Sequence, residues 1–137
     1  MANYAAVARS NYFSVKDIDA FRLEMAKVSD IHVECLGEGE SQTVALFCQT
    51  DDGWPSEYYP DEVLADPVSI DLPAMVASHL AEGSVAVFLE SGNEGLRFVG
   101  GHATAVDAAG ERVDLNLHDI FKLASGRLRG EALNRWA

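Results

Sequence analysis

The chain has 137 residues, 48% of them hydrophobic and 23% charged, which is typical of a folded globular domain. Ten Lys and Arg stand against 22 Asp and Glu, so the net charge is -12 at pH 7. This balance argues against direct binding to nucleic acid or to an anionic membrane, because both need a basic surface. No apolar run approaches the roughly 18 to 20 residues that span a bilayer, and the first residues lack a secretory pattern. We therefore expect one cytoplasmic domain covering residues 1–137.

The first part of the chain predicts a strand followed by a helix. Residues 4–13 are rich in aromatic and small apolar residues, which favours a strand. Ser14 and Asp17 have the spacing of a capping box, in which the Ser hydroxyl accepts a hydrogen bond from the first helical turn. Apolar residues then recur every three or four positions, which predicts a helix over about 16–28.

A β-hairpin is predicted next. Residues 32–36 alternate between apolar and polar, and residues 43–48 are mostly apolar. The loop between them contains two glycines, which tolerate the positive φ of tight turns. Cys35 and Cys48 fall in these strands without metal-ligand spacing, so we interpret both as core residues.

Residues 51–66 show no periodicity. The segment contains two prolines, which exclude a continuous helix or a central strand. Its three aromatic residues make it too apolar for a disordered linker. We interpret it as an ordered loop or lid.

The second half predicts a helix, three strands and another helix. Asp71 is the expected N-cap of a helix that ends near Glu82, before Gly83. Strands are predicted at 85–89, 96–106 and 112–115. The last helix is expected to end at Gly126, and the tail to form a helical turn ending at Trp136.

Two glycine features of this half carry their own predictions. Residues 92–95 have the composition of a turn, and Gly100 with Gly101 predicts a bulge or bend in the following strand. Sequential strands joined by tight turns favour a mainly antiparallel sheet. The predicted fold class is α+β, with two to three helices packed on one face of the sheet.

The charges are distributed unevenly along the chain. Residues 28–96 contain 14 acidic residues and no Lys or Arg, whereas the flanks contain eight acidic and ten basic residues. Carboxylates spaced along an ordered surface can imitate the phosphates of DNA and so bind a basic protein surface. The densest patch consists of Asp51, Asp52, Glu57, Asp61, Glu62 and Asp66.

Aromatic residues lie among these charges, namely Trp54, Tyr58 and Tyr59. Trp and Tyr are enriched as anchors in protein interfaces, so the same segment offers both charge steering and anchoring. The alternatives are that the aromatic residues close over the core and that the carboxylates only keep the protein soluble.

In its small size, acidity and clustered carboxylates the chain resembles the DNA-mimic inhibitors of phages and plasmids, the antirestriction and anti-CRISPR proteins. The resemblance concerns charge character over the middle half of the chain and includes no shared motif. It implies an inhibitor whose partner is a restriction enzyme or a CRISPR complex.

No catalytic motif, phosphate-binding loop or paired metal ligands are recognisable in the sequence, so we expect no enzyme activity, cofactor or metal. Two alternatives stay open. One is a small ligand-binding domain or enzyme with a pocket under the 51–66 loop, and the other is an immunity-like partner of a basic toxin. Arg127, Arg129 and Arg135 either form a separate contact or pair with the protein's own acidic side.

Overall fold

A computed structural model describes residues 4–59, 66, 68–95 and 97–130. In chain order its elements are β1 (Tyr4–Ser10), α1 (Ile18–Met25), β2 (Ile31–Leu36), β3 (Thr43–Cys48), β4 (Glu57–Tyr58), β5 (Val68–Ser69), α2 (Leu72–Ala77), β6 (Val85–Glu94), β7 (Phe98–Asp107), β8 (Arg112–Asn116) and α3 (Asp119–Arg127). A short 3-10 turn, Gly39–Ser41, lies in the β2–β3 hairpin. The predicted α+β class is confirmed. No helix in the described part is long and apolar enough to cross a membrane.

The main sheet has six strands in the order β2-β3-β1-β6-β7-β8, and each neighbouring pair is antiparallel. The first strand of the chain therefore lies in the middle, between β3 and β6. As a result β2 forms one edge and β8 the other. The remaining two strands, β4 and β5, pair as a separate short ribbon.

Side chains of the sheet alternate between two faces. The inner face carries α1 and α2, and its buried core includes Phe21, Met25, Leu72, Val76 and Phe88. Burying one such side chain stabilises the fold by roughly 1.5–3 kcal/mol. The opposite side of the sheet, the outer face, is considered below.

The N-terminus of α1 differs from the prediction. The N-cap is Asp17, whose carboxylate accepts a hydrogen bond from the backbone N–H of Ala20, and not Ser14. The reason is that the chain is still extended at Ser14, because Phe13 and Val15 on either side form β-bridges. A residue in extended backbone between two bridges cannot begin a helix.

The helix α2 begins as predicted, with Asp71 as its N-cap, but it ends at Ala77 and not near Glu82. Leu80 forms a bridge with Val15, which takes the chain out of the helical path. A buried contact with another segment therefore ends this helix before the glycine does.

The turn predicted at 92–95 begins only at the last residue of that span, and the sheet has no bulge at Gly100 and Gly101. The β6–β7 ladder is regular, with Gly92 opposite Gly100, and the turn begins only at Gly95. A Cβ at Gly92 would overlap the ring of Tyr4, and one at Gly100 would crowd the ring of Phe98. These glycines thus make room for aromatic rings. The predicted turn at Trp136 lies outside the described residues.

Candidate partner-binding surface

Residues 28–59 contain seven carboxylates and no Lys or Arg. All seven side chains are exposed. We call this surface the acidic edge; it comprises Asp30, Glu34, Glu38, Glu40, Asp51, Asp52 and Glu57. It follows the free edge of the sheet at β2 and continues into the loop after β3.

The β2–β3 hairpin determines how far the acidic edge extends. Pairing of Ile31 with Cys48 puts Asp30 at one end of the hairpin, whereas Glu38 lies in the turn at the other end. Eight residues at the rise of a strand cover about 26 Å. Asp30 has a φ of 61° and its carbonyl accepts a hydrogen bond from the Gln49 N–H at 2.8 Å, so the end of the row is held in place.

The loop after β3 is fixed to the central strands. The carbonyl of Asp51 accepts a hydrogen bond from the Ala6 N–H at 2.7 Å. The backbone N–H of Trp54 donates to Glu90 Oε1 at 2.8 Å. Because both ends of this turn are tied to the sheet, the part of the predicted loop that the structure describes is ordered and closed.

The same loop forms one wall of a hollow of about 290 Å³, lined in part by Asp30, Asp52 and Glu57. The described residues contain no group of three or more His, Cys, Asp or Glu arranged to hold a metal ion. A hollow with three carboxylates repels anions and suits a Lys or Arg side chain of a partner.

Glu90 of β6 supports the loop from below and was not recognised in the sequence. Only 10% of its side chain is exposed, and it accepts a hydrogen bond from the Tyr4 hydroxyl at 3.0 Å in addition to the Trp54 N–H. His102 Nδ1 lies 3.7 Å from Glu90 Oε2. Glu90 lies two residues after the buried Phe88. Because alternate residues of a strand share a face, this position would have predicted an inward side chain for Glu90.

The largely buried carboxylate of Glu90 affects two neighbouring acidic groups. Burial raises the pKa of the Cys48 thiol to about 12, with the charges of Glu90 and Asp30 adding to the effect. Burial also raises the pKa of Tyr4, and its hydrogen bond to Glu90 acts in the same direction. Cys48 is therefore a protonated thiol at neutral pH, as expected of a packing residue and not of a nucleophile.

The aromatic residues of the loop pack inward. Trp54 contacts Phe88 edge to face, with 5.1 Å between ring centroids, and Tyr58 packs against the same core. Tyr59 is half-buried. Trp54 and Tyr58 thus close over the core, as the alternative interpretation predicts, which limits the surface they offer as anchors.

The structure describes four of the six carboxylates of the predicted acidic patch. All four are exposed; Asp52 and Glu57 line the same hollow, whereas Asp51 borders a different one. Asp61 and Glu62 lie outside the described residues. The structure adds four carboxylates of the β2 side that the predicted patch did not include, namely Asp30, Glu34, Glu38 and Glu40.

The acidic edge has no internal counter-charge from Lys or Arg. Among the residues that the structure describes, its one ion pair joins Glu34 to His32, at 3.0 Å. Arg127 and Arg129 have no carboxylate within salt-bridge distance in the described part, so they do not neutralise it; Arg135 lies outside that part. The carboxylates are left available to a partner.

Fold and surface together define an acidic α+β protein with a carboxylate row along one edge of its sheet. No protein-family model, curated protein or solved structure matches the chain. Its function is therefore inferred from the geometry of this surface.

Proposed function

We propose that the protein is a binding protein, not an enzyme, and that its acidic edge occupies a basic nucleic-acid-binding surface of a host defence complex in the cytoplasm. A CRISPR complex or a restriction enzyme has a surface of this kind. The protein would act as an inhibitor of the type found in phages and mobile elements, by DNA mimicry. The observation that carries the proposal is the set of seven exposed carboxylates that have no Lys or Arg partner among the residues that the structure describes.

The density of charge supports mimicry of nucleic acid. Asp30, Glu34 and Glu38 are spread over about 26 Å of the hairpin, and the loop after β3 adds Asp51, Asp52 and Glu57 near its Asp30 end. A Lys- or Arg-lined groove that neutralises phosphates meets several negative charges here. Release of counterions from both surfaces favours the complex, and long-range attraction increases its rate of association.

Two other functions are less well supported. The Glu90 carboxylate fills the space directly beneath Gly53, so a ligand-binding domain or enzyme would have to use the hollow of about 290 Å³ beside the loop, which is lined by three carboxylates. An immunity-like partner of a basic toxin would use the same acidic edge. The identity of the captured partner distinguishes that function from inhibition of a defence complex.

The first experiment is a pull-down from bacterial lysate at low and high salt, with bound proteins identified by mass spectrometry. We expect one nucleic-acid-processing complex to be recovered at low salt and lost at high salt, because salt screens the charges of the complex. Recovery of no specific protein would contradict the proposal. Capture of a single basic toxin would replace defence inhibition with immunity.

Charge reversal then tests the acidic edge itself. We expect the triple variant Asp51→Lys, Asp52→Lys, Glu57→Lys to raise the dissociation constant for the partner by about a hundredfold or more, since close interfacial charge pairs are each worth about 1.5 kcal/mol or more. A matched control reverses three exposed acidic residues elsewhere, namely Asp19, Glu82 and Glu111.

The control changes the net charge by the same amount but leaves the acidic edge intact. Its affinity should fall much less than that of the first variant. An equal loss in both variants would show that only overall charge matters. An unchanged affinity in the first variant, with a native circular dichroism spectrum, would exclude these residues from the interface.

A further inference from the structure

The outer face of the sheet has a chemistry opposite to that of the acidic edge. The pairing of the strands shows which residues point outward. Val7 is paired with Ser91 and Ala103 with Leu115, and all four side chains lie on the outer face. Over residues 5–9, 85–93, 99–107 and 113–115 these positions contain two charged residues, Arg9 and Asp107. The Arg9 guanidinium lies 4.5 Å from the ring centroid of Phe47, and the Asp107 carboxylate accepts hydrogen bonds from the backbone N–H groups of Ala109 and Glu111.

Large apolar side chains cover this side of the sheet. We call it the apolar face; its exposed residues are Val7, Leu89, Val99, Val113, Leu115 and Leu117. Val7 on β1 is 74% exposed and Leu115 on β8 is 59% exposed, so large apolar side chains are exposed across the width of this face. Val7, Val99 and Leu117 line a shared hollow of about 490 Å³, bordered by Asp51.

The helix α3 is exposed in the same way. It has nine residues and none of them is buried, although Ile120 and Leu123 are apolar. A helix this short is not stable alone in water and depends on packing of its apolar side. Leu123 and Leu115 line a second hollow, of about 560 Å³, which joins α3 to the apolar face.

The size of this surface fits a stable interface. The four strands β1, β6, β7 and β8 have 7, 10, 10 and 5 residues, which at the spacings of a sheet gives a flat area of about 500 Å². Protruding side chains and α3 enlarge the accessible area. A standard interface buries about 800 Å² on each partner, so this face is of the right order.

We propose that two copies of this chain form a symmetric dimer in which their apolar faces and α3 helices pack together. A mostly apolar surface can pack against a second copy of itself about a two-fold axis. Two chains of charge -12 repel each other, and contact through the apolar face keeps the carboxylates of the β2–β3 hairpin at the far edge of the sheet, with Asp51 at the border of the face. A basic partner would instead be attracted to the acidic edge.

The test is the mass in solution, measured by light scattering and by sedimentation equilibrium over a range of concentrations. We expect a reversible dimer of twice 14.8 kDa. The variants Val7→Asp and Leu115→Asp should each raise the dimer dissociation constant by about a hundredfold, because a symmetric interface loses two buried apolar side chains. Both positions are exposed in the single chain, so the fold should persist, which circular dichroism checks.

Leu23→Asp is the matched control. Leu23 is 71% exposed, close to the 74% of Val7, but it lies on α1 and away from the apolar face. We expect no change in the mass of this variant. A monomer at all concentrations, an open-ended assembly, or equal dissociation of the control variant would each overturn the dimer.

Salt separates this inference from the proposed function. Raising salt should strengthen the dimer, because it screens the repulsion between two acidic chains, and should weaken binding of a basic partner. A dimer that salt dissociates would overturn packing through the apolar face. The dimer does not depend on the identity of the partner, so either proposal can fail without the other.

Discussion

The acidic edge and the apolar face lie on one sheet but present opposite surfaces. The β2 edge and its loop carry seven acidic and no basic residues in 28–59, whereas 112–130, from β8 through α3, carries four basic and two acidic residues. The order of strands causes this separation, because it places β2 and β8 at opposite edges with β1 between them. A charge difference along the chain thereby becomes a difference between two sides of the molecule.

The two regions also differ in how they are attached. The acidic loop is held by backbone hydrogen bonds and by a largely buried carboxylate, whereas no residue of α3 is buried. Substitutions in the loop should therefore affect the stability of the chain much more than substitutions in α3. Three predictions test this difference, beginning with the largest effect.

Replacement of one glycine in each region should have opposite effects. Gly53→Ala is expected to lower the free energy of unfolding by about 3 kcal/mol, because a Cβ there requires a strained φ of 85° and overlaps Glu90 Oε1. Gly126→Ala in α3 meets no atom within 4 Å and should stabilise that helix by about 0.5–1 kcal/mol. Chemical denaturation and hydrogen exchange measure the two changes.

Gly39→Ala is the control for backbone strain alone. Gly39 also has a positive φ, of 62°, but open space surrounds its Cβ position. Gly39→Ala should lower the free energy of unfolding by about 1 kcal/mol. A cost for Gly53→Ala no greater than this would mean that contact between the loop and Glu90 is unimportant.

Glu90 tests the support of the acidic loop more specifically. Glu90→Ala should destabilise the protein by about 2 kcal/mol, because the Trp54 N–H and the Tyr4 hydroxyl lose their acceptor. Glu90→Gln makes the same change in charge but keeps an acceptor oxygen, so it should cost less. Equal losses in the two variants would indicate that charge, and not hydrogen bonding, holds the loop. Denaturant unfolding compares them.

The smallest effect is expected at an exposed salt bridge between β8 and the N-terminus of α2. Arg112 of β8 lies 2.7 Å from Asp71, the N-cap of α2, and 3.3 Å from Asp114. These groups are exposed, so Arg112→Ala should lower the stability by less than about 1 kcal/mol. Thermal unfolding at low and high salt measures it. A larger loss would mean that this exposed salt bridge stabilises the fold as much as the contacts that hold the acidic loop.

The local features of the fold could largely be predicted from the sequence. The hairpin of β2 and β3 and the N-cap at Asp71 follow from alternation, glycine and capping chemistry, and these local preferences persist in the folded chain. The three errors have one cause. Ser14, the end of α2 and the paired glycines of β6 and β7 are each determined by contacts with a distant segment.

The candidate site was predictable in its charge but not in its shape. Composition alone gives the carboxylates of the acidic edge, since Asp and Glu in an ordered, lysine-free segment are exposed unless they are paired. It does not give the role of Glu90, which is acidic like the others but is largely buried under Trp54. Which carboxylates face solvent depends on strand register, and register is fixed by packing.

By itself the sequence determined the class of fold, the acidic middle of the chain and the absence of a basic surface over that stretch. Only the tertiary structure decided that the acidic residues follow one edge and that the large apolar residues of β8 and α3 stay uncovered on another side. The physical reason is that composition and local propensity act over a few residues. The order of strands in a sheet brings together segments more than 80 positions apart, as in the pairing of Ala8 with Glu90.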